Sequence, residues 1–364
     1  MANELTIPSR GEALRAHLDS GGALAAVFPY HPPRALLRAH GLLPVEVWGP
    51  PGRSTAAGDA HLQPYTCSLV RAGLAFLLDG GLERAQAILV PHGCDSLQGL
   101  GSVLLDFVKP AMPVLTCYMP RGERDLDRAF LADELRELAA RLAEITGHRP
   151  GDGELVEAIE REERADAALG ELLARRPELA LGERDFYRLV RSREYLPAEA
   201  FAALATRALA LPPAEGARPA RTPLVLSGLV PEPMALLDAL EAAGATVAGD
   251  DLACSGRRRY RPTRGADAYA RMSEGMLSGP PDSTRGSSVQ ARLDHLRGLA
   301  RGSGARGVVF LTLKFCEPEL YYLPQLRDGL AADGVRALDL EVDLAEALPA
   351  PVVNRLEAFV ETLR

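Results

Sequence analysis

Two parallel-sheet α/β domains joined through a helical middle section are the fold this sequence predicts, and three observations predict it. Short continuous apolar runs alternate with amphipathic stretches through the first third of the chain. From Arg124 to Leu211 the alternation gives way to segments rich in Ala, Leu, Glu and Arg, and from Leu224 to the C-terminus it resumes. Apolar strands lacking a polar alternation are buried on both faces, as in parallel sheets covered by helices. The expected domains are 1–122, 123–215 and 216–364, and a length of 364 residues is too great for one ordinary core.

In the first domain, Ala23 to Phe28 reads as a strand, Pro33 to His40 as a helix closed by Gly41, Pro44 to Trp48 as a strand, and Ser68 to Leu78 as a helix. Ala87 to Val90, the stretch after Asp95, and Pro113 to Thr116 continue strand, helix, strand. The middle section carries the helical periods Leu126 to Ile145 and Glu154 to Leu173, and the Pro- and Ala-rich run Pro212 to Pro223 reads as a linker. The last domain reads as strand Leu224 to Ser227, helix Pro233 to Ala243, strand Thr246 to Gly249 and helix Ser288 to Arg301. Strand Gly307 to Lys314, helix Leu320 to Ala332, strand Val335 to Leu340 and helix Val352 to Leu363 follow. Between Cys254 and Ser287, Arg, Gly, Pro and Ser accumulate, which predicts a long loop with one short helix. Ala87 to Val90 leads to Cys94-Asp95, and Val308 to Leu311 leads to Cys316-Glu317, a short echo of the kind an internal duplication leaves.

Composition narrows the function classes. An apolar fraction of 47% and a charged fraction of 25% match ordinary globular usage. A formal net charge of -8 argues against a nucleic-acid-binding surface, which leans on clustered Lys and Arg. Met1 to Ser20 lacks the apolar run of a signal peptide or spanning helix, so a cytoplasmic enzyme without a membrane partner is the expectation. Five cysteines in that compartment are core residues or chemistry rather than disulfide staples.

Cys94, Cys117, Cys254 and Cys316 each follow a predicted strand by a few residues, and Cys67 precedes the helix beginning near Ser68. Ligands of open α/β sheets collect outside the carboxyl ends of the strands, and a helix start favours a thiolate. No C-x-x-C pair exists, which disfavours zinc ribbons and thioredoxin-like sites. Two readings stay open on spacing alone: an iron-sulfur site assembled by the fold, or buried thiols acting as small hydrophobes.

The runs Tyr65-Thr66-Cys67-Ser68-Leu69-Val70-Arg71, Val90-Pro91-His92-Gly93-Cys94-Asp95-Ser96 and Leu313-Lys314-Phe315-Cys316-Glu317-Pro318 resemble the 2-hydroxyacyl-CoA dehydratase D-component and benzoyl-CoA reductase subunit family. Pro33 to Val45, Asp250-Asp251 with Cys254, Gly256 and Arg257, and Asn354 to Glu361 match as well, so the resemblance spans nearly the whole chain. It implies two Rossmann-like domains enclosing an oxygen-sensitive 4Fe-4S cluster on Cys67, Cys94 and Cys316. It also implies an acyl-CoA substrate, a homologous second subunit or homodimer, and an ATP-dependent activator protein. The reaction implied is elimination of water from a 2-hydroxyacyl thioester by one-electron chemistry. The alternatives are ring reduction of the benzoyl-CoA type, or a non-catalytic subunit that relays electrons or serves assembly. No G-x-x-x-x-G-K-[ST] loop is present, which leaves ATP to a partner. Two positions depart from the family pattern: Glu317 stands for Asp, and Glu163 stands where relatives have Asn.

His92 and Lys314, each two residues before a family cysteine, are candidates to hydrogen-bond cluster sulfur or to supply a proton, with a solvent-facing strand end as the alternative. Cys117 and Cys254 read as packing. Arg257, Arg258 and Arg259 suit CoA phosphates, although a solvated loop is the plainer expectation, and His31 and His61 carry no assignable role.

Overall fold

Each apolar run of the outer thirds becomes a strand of a parallel sheet in the computed structural model, which describes residues 5–212, 221–344 and 347–364. The strands are β1 (Ala23–Val27), β2 (Leu42–Glu46), β3 (Ala85–His92), β4 (Val114–Tyr118), β5 (Thr222–Gly228), β6 (Ala245–Leu252), β7 (Gly307–Leu313) and β8 (Arg336–Val342). They form two sheets ordered β2-β1-β3-β4 and β6-β5-β7-β8, all neighbours parallel. The two sheets therefore share one topology, and the α/β class with two Rossmann-like sheets is what the molecule has. In each, the earliest strand lies between the second and third, so its connections leave in opposite directions and open a crevice at the carboxyl edge.

The helices are α1 (Arg10–Asp19), α2 (Arg34–Ala39), α3 (Ala56–Asp59), α4 (Ser68–Leu78), α5 (Asp95–Ser102), α6 (Asp125–Thr146), α7 (Asp152–Ala174) and α8 (Glu183–Arg191). They continue with α9 (Ala198–Leu209), α10 (Ala235–Ala242), α11 (Ala268–Leu277), α12 (Val289–Ser303), α13 (Glu317–Leu320), α14 (Leu323–Ala332) and α15 (Ala350–Leu363). The helix expected over Leu320 to Ala332 is α14, which starts at Leu323 with Pro324 in its first turn, where a missing N–H costs nothing, and the short α13 precedes it. The run Pro212 to Pro223 is only partly visible: 213–220 lie outside the described residues, and Thr222 and Pro223 already belong to β5. Pro223 is accommodated near the strand start.

The middle helices do not stand apart from the sheets. Leu131, Leu135 and Leu138 of α6 pack with Ala25, Val27 and Leu89 on one face of the first sheet. Phe186 and Val190 of α8 and Phe201 of α9 join an apolar core that reaches both sheets, with Ile88 and Val90 from one and Leu226 and Val309 from the other. Helix α4 lies in that shared core, buried along most of its length, and Ser68 at its start accepts from the Leu344 N–H at 3.4 Å, so its start is held from both halves.

Candidate functional site

Three cysteines occupy the same structural position in three different helices. Cys67 is the N-cap of α4, Cys94 of α5 and Cys316 of α13. Cys94 and Cys316 each lie just past the third strand of their sheet, in topologically equivalent places. The turn into α13 runs through Phe315 at φ +63°, a left-handed conformation uncommon for a side chain of that bulk. Strain of this kind costs about 1–3 kcal/mol and gathers where geometry matters more than stability.

Burial governs the thiols. Cys67 and Cys316 are only 6% and 5% exposed, and Cys94 is half-buried. Burial raises Cys67, pushes Cys94 up to about 12 with help from Cys67, and holds Cys316 well above the thiol range with Cys67, Glu319 and Cys94 adding to it. Cys67 thus acts on both Cys94 and Cys316. Opposing this, the N–H groups of Leu69 and Val70 favour the Cys67 thiolate, those of Ser96 and Leu97 the Cys94 thiolate, and that of Glu319 the Cys316 thiolate. None closes a capping hydrogen bond. The N–H groups of Val70 and Glu319 also donate to the Cys67 and Cys316 carbonyls, each at 3.1 Å, so these sulfurs share donors that the first turn already uses. Among the described residues no three His, Cys, Asp or Glu side chains stand close enough to share one metal ion. A cluster is a different demand, since each thiolate binds a separate iron and the sulfurs stand farther apart than ligands on a single ion.

Beside the cysteines lies a buried ion-pair network that joins distant parts of the chain. The Tyr30 hydroxyl donates to Asp282 at 2.6 Å, across 252 residues of sequence, and its Cβ is 3.9 Å from where a side chain on Gly93 would begin. Arg257 is fully buried and reaches Glu319 at 2.7 and 3.0 Å, Asp282 at 3.5 Å and Asp251 at 3.3 Å. Arg292 completes the set on Asp251 at 2.6 Å. Burial alone would raise Asp282, but Arg257, with hydrogen bonds from Thr284 and Tyr30, reverses the sign and holds it well below the carboxylate range. His31, at φ +48°, is buried and hydrogen-bonded to Tyr260, and burial and Arg285 lower its imidazole to about 3, so the ring is neutral. A second group centres on Glu46, which accepts from Arg34 at 3.0 Å, Arg258 at 2.9 Å and the Trp48 indole at 3.0 Å.

Arg257 and Arg258 are thus not on a solvated loop. Both are buried in ion pairs, and only Arg259 of the basic run is exposed. Of the carboxylates that claim them, Asp251 lies six residues before Arg257, and Glu46, Asp282 and Glu319 are brought from elsewhere in the chain by the fold. His92 stands between the Tyr118 ring, edge-on at 4.6 Å, and Gly101 of α5, with both ring nitrogens unpartnered and its imidazolium disfavoured by burial. Lys314 is exposed, its ammonium 5.4 Å above the Phe315 ring. Cys117 packs in the face covered by α6, and Cys254 lies against Ser255. Neither contributes to the electrostatics of the three gathered thiols. Glu163 pairs with Arg271 at 2.5 Å. Tyr30, His31, Glu46, Asp282 and Glu319 carried no sequence signal of a site, being ordinary residues until the fold pairs them.

No helix of the described residues is long and apolar enough to cross a membrane. The family model for the 2-hydroxyglutaryl-CoA dehydratase D-component matches residues 29–363. The chain is 26% identical to the (R)-2-hydroxyglutaryl-CoA dehydratase beta subunit of Acidaminococcus fermentans, an alignment covering 96% of this chain and 95% of that protein. It is 24% identical to the lactoyl-CoA dehydratase beta subunit of Anaerotignum propionicum, over 95% of this chain and 93% of the other. A benzoyl-CoA reductase subunit of Thauera aromatica is likewise 24% identical, over 95% and 92%.

Proposed function

The chain belongs to the 2-hydroxyglutaryl-CoA dehydratase D-component family, and on that premise we propose that it is an iron-sulfur subunit holding a 4Fe-4S cluster on Cys67, Cys94 and Cys316. The convergence of three helix-capping thiols at the carboxyl edges of two sheets is the observation that carries this reading. The donor set fits: the thiols are shielded from water, and each faces N–H groups that stabilise the thiolate. Binding a cation there replaces three protons that burial otherwise retains, so loading releases protons and strengthens as pH rises. When bound, the cluster supplies a centre that takes up and passes on one electron. The chain's own share is to hold that centre in a dry, donor-lined site between its two sheets.

The enzyme served is a 2-hydroxyacyl-CoA dehydratase, with one-electron elimination of water from an acyl-CoA thioester. A homologous second subunit and an ATP-hydrolysing activator complete it, because forming a thioester radical anion needs an external energy source. Relatives named as beta subunits, and one named as a benzoyl-CoA reductase subunit, support a multi-subunit assembly. Benzoyl-CoA-type ring reduction is the alternative reaction, supported by the last of these. Within either, one observation favours electron relay over substrate binding in this chain: Tyr30, next to Gly93, is tied to Asp282 and Arg257, and Glu46 is engaged by two arginines, so these polar groups are spent on one another.

Anaerobic purification with iron and sulfide analysis tests the cluster, and a colourless, iron-free protein with intact cysteines would refute it. A relay subunit is expected to give an EPR signal that is unchanged by acyl-CoA on the isolated chain. A direct response of that signal to 2-hydroxyacyl-CoA without the partner would move substrate binding here.

A further inference from the structure

The first sheet is covered unequally. Ala25 and Val27 of β1 point to the face closed by α2 and α6 and are 0% exposed, whereas Leu24 and Ala26 of the same strand, with Val45 and Val47 beside them, keep 3–8%. Over that second face lies α1, held at its two ends rather than along its length. Arg10 at its start reaches Glu194 at 2.6 Å and the Glu46 carbonyl oxygen at 2.5 Å, and His17 Nε2 in its last turn lies 3.2 Å from the Ala23 carbonyl oxygen. None of its residues is buried. A cavity of about 790 Å³ remains between α1, the sheet and α8. One water needs only about 10–15 Å³ by the same measure, so the space holds a ligand of many heavy atoms.

The interior suits hydrocarbon. Leu24, Ala26, Val45 and Val47 line it from the sheet, and Leu14 and Leu18 from α1. Its three glutamates are already engaged, Glu46 by Arg34 and Arg258, Glu194 by Arg10 and Arg191, and Glu232 by Arg191. Among the described residues, no buried polar side-chain atom of the lining lacks a partner. A sugar or nucleobase placed inside would find no unspent side-chain group to replace its bonds to water. An alkyl chain needs none.

The mouth suits an anion. Arg15 and Arg84 are exposed on the lining and make no ion pair with the described residues. Arg53 lies 5.4 Å above the Phe76 ring and meets Asp79 only at 3.7 Å. A Cβ on Gly81 would stand 2.1 Å from that same ring, which places the loop carrying Arg84 at the Arg53 end of the cavity. The lining as a whole holds six arginines against three glutamates, on a chain whose formal net charge is -8. A concave surface of one sign attracts the opposite one whatever the net charge of the molecule.

We propose that this cavity binds a single-chain alkyl carboxylate of the fatty-acid class, its hydrocarbon along Leu24, Ala26, Val45 and Val47 beneath α1 and its carboxylate at the end marked by Arg53 and Arg84. None of the five cysteines lines the space, so the site stands apart from the proposed cluster and does not depend on it.

Calorimetric titration of the full chain with dodecanoate, below the concentration at which it forms micelles, tests this. Dodecanoate should bind saturably at one site. Decanoate should bind about tenfold more weakly, because each buried methylene is worth about fourfold in affinity. Dodecyltrimethylammonium, with the same chain and the opposite charge, should bind about tenfold or more weakly. Coenzyme A, whose adenosine does not suit the interior, should leave dodecanoate binding unchanged. Arg84→Glu alters an exposed side chain, so it should keep the melting temperature and weaken dodecanoate about threefold or more. Leu14→Trp adds bulk from a helix that buries none of its residues, and should keep the melting temperature and lose dodecanoate binding. Unsaturable or absent dodecanoate binding, no dependence on chain length, equal binding of the cationic amphiphile, displacement by coenzyme A, or undiminished binding to either variant would each overturn the proposal.

Discussion

A thiol buried at a helix N-terminus is pulled in two directions, since burial keeps its proton and the helix favours its loss. Cys67, Cys94 and Cys316 share that tension, and a cation resolves it in all three at once. Replacing any one by Ser should abolish most iron incorporation on anaerobic reconstitution. Cys117→Ala and Cys254→Ala should keep the iron and cost about 1 kcal/mol in a denaturant titration. Glu162 offers a pH test. Its carboxyl, buried yet flanked by Arg193 and Arg34, is lowered from 4.5 to about 2. The folded value is depressed, so the contribution to stability is full above pH about 4.5 and is lost as pH falls toward about 2. Urea midpoints measured across that window should fall steeply for the native chain and less so for Glu162→Gln. At this scale the cysteines were legible, because a residue just past a strand or before a helix has a predictable address. Glu46, Asp282 and Glu319 were not, because their partners are set by tertiary structure: Arg258 meets Glu46 across 212 residues.

Among the elements, α4 is buried along most of its length. It is apolar nearly all round, a composition that spacing alone reads correctly as a buried helix. What the sequence does not show is how closely its neighbour approaches. A Cβ on Gly58 of α3 would stand 2.3 Å from the Arg71 carbonyl oxygen, a backbone atom that cannot swing aside. Gly58→Ala should therefore displace the start of α4, costing about 1–3 kcal/mol and lowering cluster occupancy together with the melting temperature. The strand positions were readable because runs such as Ala87 to Val90 have no polar alternation. The start of α14 at Leu323 and the inclusion of Pro223 in β5 were less so, since proline is tolerated at an element's first residues as well as outside it.

Across the whole molecule, buried polar contacts bind the halves together: Arg258 to Glu46, Tyr30 to Asp282 and Arg257 to Tyr30. Removing one partner leaves an uncompensated buried charge, at about 3–5 kcal/mol. Arg257→Met should show a loss of that order by chemical denaturation, and the double change with Asp251→Asn should recover part of it. The repeated sheet order has an arithmetic consequence. A fully doubled design would present four capping thiols, two from each half. The helix that precedes β7, as α4 precedes β3, is α12, and its cap is Ser288, whose hydroxyl accepts from its own Ala291 N–H at 3.1 Å. The fourth corner is thus withdrawn into the chain's own backbone. A four-iron group seated on the remaining three would keep one vertex for a ligand from outside the polypeptide.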